Sequence, residues 1–377
     1  MTPPRRILIL CDKFKGSLDA AEACFAIARG MAVRFPEALI ECRPIADGGE
    51  GFAAALEAPL SGCWIEAPAH DALGREIRTR YLLAHTSDGP LAVMEMAESS
   101  GMWRINPEDR DILHSSTFGT GEMMRHAILE SGATRIVIGI GGSATNDGGA
   151  GMAAALGVRF ISGDGSDLTA FPAALFQNLA RVDFSDRIPL PPITVACDVE
   201  NLLLGPHGAT RIFGPQKGAD ETTMPVLEEV LAAIVRASDG GENACKPGAG
   251  AAGGLGFGLL HFANAELVPG FELLASLAGL ETALAAADLV VTGEGSLDAQ
   301  SLSGKGPVGI ARLARKHGKP VIAFCGRADT AIRESGLFDS ITELAATGLP
   351  VETLMSRAAE LLEHHQPGGD GCSAPSS

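Results

Sequence analysis

The sequence predicts an α/β protein of two domains, in which a doubly wound parallel sheet is interrupted by an inserted mixed α/β domain. Three observations predict this. Strand–helix units open the chain, the same rhythm returns after Asp288, and between them three strands follow one another with no helix. The 377 residues are 46% hydrophobic, enough to build two cores of ordinary size.

Arg6 to Cys11 reads as a buried strand, with Asp12, Lys13 and Lys15 at its carboxyl end. Ser17 or Asp19 then starts a helix to about Met31, with Ala23, Ile27 and Met31 at helical spacing. Leu39 to Ala46 is a second strand, closing in Asp47-Gly48-Gly49-Glu50-Gly51 before a helix that begins at Phe52. The pattern changes near Pro59. Cys63 to Ala69, Glu76 to Ala84 and Leu91 to Ala97 are joined by turn-rich pieces and read as an antiparallel meander. A helix over about Gly119 to Ser131 and a strand over Arg135 to Ile140 follow. Further strands are predicted at Ile193 to Cys197, Leu289 to Thr292, Pro320 to Cys325 and Ser340 to Leu344, with helices from about Thr223 to Ala237 and from about Pro307. The five strands of the outer segments suit a flavodoxin-like sheet of order 2-1-3-4-5, whose ligands bind beyond the carboxyl strand ends at the switch point. That rule brings Asp12, Lys15, Glu294, Asp298 and Lys305 to one crevice. The expected boundaries are residues 1–60 plus 285–365 for the sheet domain and 61–284 for the insertion, with a disordered tail over 366–377.

Several classes of function are excluded by composition. A net charge of −17 gives no general excess of cations for nucleic acid or an anionic membrane. No apolar run approaches a membrane span, and Ile7 to Cys11 is too short for a signal-peptide core. The eight cysteines lie scattered without C-x-x-C pairs, as in a cytoplasmic protein with reduced thiols.

The densest chemistry lies between Arg135 and Met152. After the strand, Gly141, Gly142, Gly148, Gly149 and Gly151 are interleaved with Ser143, Thr145, Asn146 and Asp147, and a helix restarts at Met152. Strand, glycine turn and helix N-terminus together favour an anion, which makes this a candidate phosphate loop. Gly139 to Ala144 also fits the G-x-G-x-x-A dinucleotide fingerprint, which leaves a nicotinamide-dependent oxidoreductase as an alternative. Asp147 argues against a bare pyrophosphate there unless a divalent cation intervenes. Four of the seven lysines (13, 15, 217 and 305) sit in or beside glycine-bearing turns, a placement that favours anion contacts. Five carboxylates, Asp12, Asp47, Asp147, Asp198 and Glu294, stand at strand ends. With lysines in the same turns they point to Mg²⁺ next to phosphate, the needs of phosphoryl transfer. There is no G-x-x-x-x-G-K-[ST] motif, so a P-loop enzyme is excluded.

Beyond these local readings, DKFKGSLDAAEA (12–23), PIADGGEGF (44–52), SSTFGTGE (115–122), IGIGGSATNDGGAGM (138–152), FGPQKGA (213–219), PGAGAAGGLG (247–256) and TGEGSLDAQSLSGKGPVGIA (292–311) together resemble the class I glycerate kinases. The motifs fall in family order from about residue 5 to 360. The resemblance implies an ATP- and Mg²⁺-dependent kinase of D-glycerate, its flavodoxin-like domain interrupted by one of restriction-endonuclease-like topology. On that reading Asp47 and Asp298 are alternative candidates for the base, and Lys15 and Lys305 share the catalytic site. Asp12, Lys13, Gly16, Ser17, Gly48, Gly49, Gly141, Gly142, Ser143, Thr145, Asn146, Lys217, Gly253 and Gly254 bind substrate or ATP, and Asp147, Asp198 and Glu294 are metal candidates. The expected product is phosphoglycerate, the 2-isomer slightly favoured. A homodimer is left open, as is a non-catalytic nucleotide sensor.

Two positions depart from the family pattern. Lys13 stands where a small residue such as Ser is usual, and Ser296 where an Arg is usual, which removes a fixed fork for carboxylate or phosphate. Lys13 supplying the missing charge predicts that Lys13→Ser is inactive and that adding Ser296→Arg restores substrate affinity. Wild-type kinetics in Lys13→Ser alone would contradict it.

Overall fold

The computed structural model describes residues 3–46, 49–168, 173–298, 301–303 and 306–365. The chain forms two compact units, residues 1–47 with 274–377, and residues 48–273. In chain order the strands are β1 (Arg6–Cys11), β2 (Leu39–Cys42), β3 (Cys63–His70), β4 (Glu76–Thr86), β5 (Gly89–Glu95), β6 (Arg135–Gly139) and β7 (Arg159–Ser162). They continue as β8 (Leu179–Asp183), β9 (Ile193–Ala196), β10 (Glu266–Val268), β11 (Leu289–Leu297), β12 (Val321–Ala328) and β13 (Ser340–Glu343).

The first unit carries a parallel sheet of order β13-β12-β11-β1-β2, the doubly wound arrangement expected. Its strands are apolar runs because helices cover both faces. On one side Ile9, Ile27, Met31, Phe324 and Leu361 pack together, and on the other Leu297, Val308, Ala323 and Ile332. The helix Ala20–Arg34 starts at Asp19, not Ser17, because Asp19 and Glu22 form a reciprocal capping box.

The second unit holds a mixed sheet of order β10-β9-β6-β5-β4-β3, antiparallel from β3 to β5 and parallel from β5 to β10. The meander is as read from the sequence. The small antiparallel pair β7 and β8 was not anticipated, nor was β10, which is only three residues long. β8 has no fully buried residue and shows no apolar alternation to read.

Two local expectations change. The helix Phe52–Leu60 belongs to the second unit, not the first, because Gly51 N and Ala53 N donate to the Glu95 carboxylate at the end of β5 (3.1 and 2.8 Å). The unit borders accordingly fall at 47/48 and 273/274. The strand read as ending at Thr292 runs on to Leu297, so Glu294 and Ser296 lie on β11 and not in a turn. Gly293 and Gly326 permit this. A Cβ on either would come within 2.5 Å of a carbonyl oxygen of the neighbouring strand, Phe324 O or Gly295 O. No helix among the described residues is long and apolar enough to cross a membrane.

Candidate functional site

In the first unit the chemistry gathers at the carboxyl ends of β1 and β11, the neighbours at the switch point. The Asp12 amide donates to Gly293 O (2.9 Å), and its carboxylate accepts the Lys13 amide (2.6 Å). A Cβ built on Gly306 would lie 3.6 Å from Asp12 Oδ2, which puts that carboxylate beside the start of the helix Gly306–Lys316. Ser301 joins two more acids: its hydroxyl donates to Glu294 Oε1 (3.0 Å) and its amide to Asp298 Oδ1 (3.1 Å).

The chain after Asp12 turns back tightly, with Phe14 N donating to Leu18 O (2.9 Å) and Gly16 at φ +78°. A Cβ at Gly16 would stand 2.8 Å from Met355 Cε, so glycine lets this turn close on the Met355 segment, where Ser17 Oγ donates to Met355 O (2.5 Å). A pocket of about 540 Å³ opens beside the turn. Its polar lining residues are Lys13, Lys15, Ser17, Glu294, Ser296 and Arg327, and its apolar ones include Leu344, Leu354 and Met355. Arg327 pairs in register with Ser296 across β11 and β12. A second cation thus faces the position of the missing family arginine, besides Lys13. The sequence reading missed Arg327 and Ser301.

In the second unit a buried polar cluster forms around the glycine loop. Lys217 ends the 3₁₀ turn Pro215–Lys217, and Gly218 at φ +99° reverses the chain behind it. The lysine is 3% exposed, and its ammonium donates to Ser143 Oγ (2.6 Å) and Thr145 O (2.8 Å). Burial pushes its pKa down to about 7, partly opposed by the Asp147 charge. Asn146 Nδ2 donates to Thr210 Oγ1 (3.0 Å). Beside these bonds, Thr145 Oγ1 and Asn146 Oδ1 are buried with no partner among the described residues. A native interior rarely leaves two such atoms together unless something else satisfies them.

Some of the glycine loop's donors are taken by the protein itself. The amides of Gly149 and Gly151 donate to the Asp147 carboxylate (both 3.1 Å), Gly148 N to Gly253 O, Ala150 N to Asp147 O and Ala144 N to Ser100 O. Asp147 Oδ2 also accepts Thr117 N (2.7 Å) and Thr117 Oγ1 (2.9 Å). The protein's own carboxylate therefore stands at the start of the helix Ala150–Ala155, where it takes the amides of Gly149 and Gly151. Burial raises the Asp147 pKa, and the N–H and O–H donors hold it down. Gly253 and Gly254 likewise pack on the loop and do not face open space. A Cβ at Gly253, where φ is +67°, would sit 1.9 Å from Thr145 O. Gly253→Ala is accordingly expected to destabilise the protein by about 2 kcal/mol or more in chemical denaturation, because both space and backbone sign are wrong.

Asp198, just past β9, accepts Gly270 N (2.9 Å). Gly49 O accepts Phe52 N (3.2 Å) at the start of its helix, and Gly142 O accepts Met102 N (2.9 Å). Gly141 stands at the loop's start, directly after β6 and Ile140. Asp47, Gly48 and Lys305 lie outside the described residues. Among the described residues no three His, Cys, Asp or Glu side chains are grouped to hold a metal.

Carboxylates and cations at the switch point of a doubly wound sheet define a small-molecule α/β enzyme. Residues 7–367 match the profile of the glycerate kinase family. The chain is 40% identical to a glycerate kinase of Bacillus subtilis over 95% of both chains, and 42% identical to a glycerate 2-kinase of Escherichia coli over 85% of both. Among solved structures, a candidate glycerate kinase 2 from Salmonella typhimurium LT2 superposes with a TM-score of 0.80 at 37% identity, covering 95% of each chain. The chain belongs to the glycerate kinase family, and the protein is a kinase. The oxidoreductase and sensor alternatives fall with that membership.

Proposed function

We propose that the protein transfers the γ-phosphoryl group of ATP to D-glycerate and forms 2-phosphoglycerate in preference to the 3-isomer. The observation that carries this is the set of carboxylates and cations at the carboxyl ends of β1 and β11. In the step proposed, the C2 hydroxyl oxygen of glycerate attacks the γ-phosphorus. The new O–P bond forms as the bond to the β,γ-bridging oxygen breaks, ADP leaves, and the hydroxyl proton passes to a carboxylate. Asp298 is the described candidate for that base, because the Ser301 amide on one oxygen fixes its carboxylate. Asp47 is the other.

Lys13, Lys15 and Lys305 are assigned to the charge that spreads over the phosphates. Lys217 is assigned to the phosphates or the glycerate carboxylate, since a buried amine offers a compact anion a charged donor. Asp12 and Glu294 are hard oxygen donors of the kind Mg²⁺ takes, and one or two carboxylates plus substrate phosphates are all it asks of a protein. They are the proposed holders of Mg²⁺, whose contribution when bound is to neutralise phosphate charge. The E. coli relative is named a glycerate 2-kinase, and the product proposed here follows that name. A cytoplasmic setting belongs to the same proposal, in keeping with the seven described cysteines, all free thiols.

³¹P NMR of the product tests the position of transfer. A phosphate on C2 couples to one carbinol proton and gives a doublet, whereas one on C3 couples to two protons and gives a triplet. A doublet is expected; a triplet would move the reaction to O3.

A further inference from the structure

We propose that the pocket of about 540 Å³ in the first unit takes the nucleoside triphosphate, its base on the apolar wall and its phosphates toward Lys13, Lys15 and Arg327. This rests on the kinase reading above and says where the donor sits. Volume is the first argument. The pocket lies in the range that encloses a ligand of nucleotide size, and a three-carbon acid would leave most of it empty.

Its mixed chemistry is the second. Val351 and Met355 are 64% and 41% exposed although large and apolar, and they stand four residues apart on the short helix Val351–Ser356, so they share one face. Both line the pocket, with Leu354 between them and Leu344 nearby. A flat heteroaromatic base laid against this wall would cover apolar surface that otherwise faces water. The pocket is lined by polar groups as well. Arg327 is exposed at the end of β12 and makes no hydrogen bond or ion pair among the described residues, so its five donors are available to phosphate oxygens. Lys15, beyond the end of β1, and Glu294, the first β11 residue past the β1 pairing, line the same pocket. The triphosphate end of the pocket is therefore the carboxylate crevice itself.

The test is calorimetric titration with a non-hydrolysable ATP analogue, together with KM values for ATP and D-glycerate. Met355→Glu puts a charged, solvated group on the base wall; Arg327→Ala removes the fork. Each is expected to weaken analogue binding at least tenfold and to raise KM for ATP in parallel, with KM for D-glycerate within twofold of wild type. Val351→Glu, at a still more exposed position, repeats the wall test should Met355→Glu fail to fold. Unchanged analogue affinity in both wall and fork variants would overturn the assignment, and so would a rise confined to KM for D-glycerate. Because the titration does not depend on turnover, a wild-type protein that binds the analogue in this pocket but transfers no phosphate to glycerate would refute the kinase step and leave the pocket standing.

Discussion

On the proposed assignment of Lys217 to a substrate anion, Lys217→Met is expected to lower kcat/KM for D-glycerate about 10²–10³-fold, the usual cost of removing a buried charged donor. The variant should nonetheless fold. Wild type buries an amine that water would solvate better, and methionine fills similar space without that penalty. The pH dependence carries the signature. Burial moves the Lys217 pKa from 10.5 down to about 7. Between those values the unfolded chain holds a proton there that the folded chain has released, so this group makes stability rise with pH across that window. Below about pH 7 both states are charged and the folded state bears the full cost of burying the ion. Subtracting the Lys217→Met stability curve from the wild-type curve should therefore leave a difference that climbs by roughly 3–5 kcal/mol between pH 7 and 10. A flat difference would show that the amine is not buried in solution. Substrate binding runs the other way: KM for D-glycerate should increase above about pH 7, approaching tenfold per pH unit, as the cation disappears.

Asp298→Asn is the second large effect. The amide keeps an oxygen to accept the Ser301 N–H, so the local turn survives, while the group can no longer take a proton. A fall of about 10²–10⁴-fold in kcat with both KM values within about threefold identifies the base. A change confined to KM would reassign Asp298 to binding and leave Asp47 as the base.

The sheet was legible because its central strands carry apolar runs, which is what burial on both faces demands. Ile7, Ile9, Val291 and Phe324 announce themselves without any knowledge of their neighbours. The crevice followed from topology, since the switch-point rule brings Asp12, Lys15, Glu294 and Asp298 to one end of the sheet. What was not legible depends on contacts between segments distant in sequence. Gly293, Glu294 and Gly295 read as a turn in one dimension, but Gly293 and, on the neighbouring strand, Gly326 are the sites where β11 and β12 approach closely enough to keep pairing. Asp147 read as a metal ligand because a carboxylate in a glycine loop suggests one. Thr117, thirty residues earlier, supplies two of the donors to its carboxylate, and no reading of the loop alone could find them. Arg327 escaped notice because only strand register sets it against Ser296. Lys217, by contrast, stood out from composition alone, as one of few lysines and as a neighbour of glycine. Its burial and its bonds to Ser143 and Thr145 could come only from the fold.

The most direct measurement is ADP formation from ATP and Mg²⁺ with D-glycerate, with L-glycerate and with no acceptor. Rapid ADP release with D-glycerate alone, abolished by chelating Mg²⁺, is the predicted result. Equal release with and without glycerate, or none with any acceptor while ATP still binds, would contradict phosphoryl transfer to glycerate at the crevice of β1 and β11.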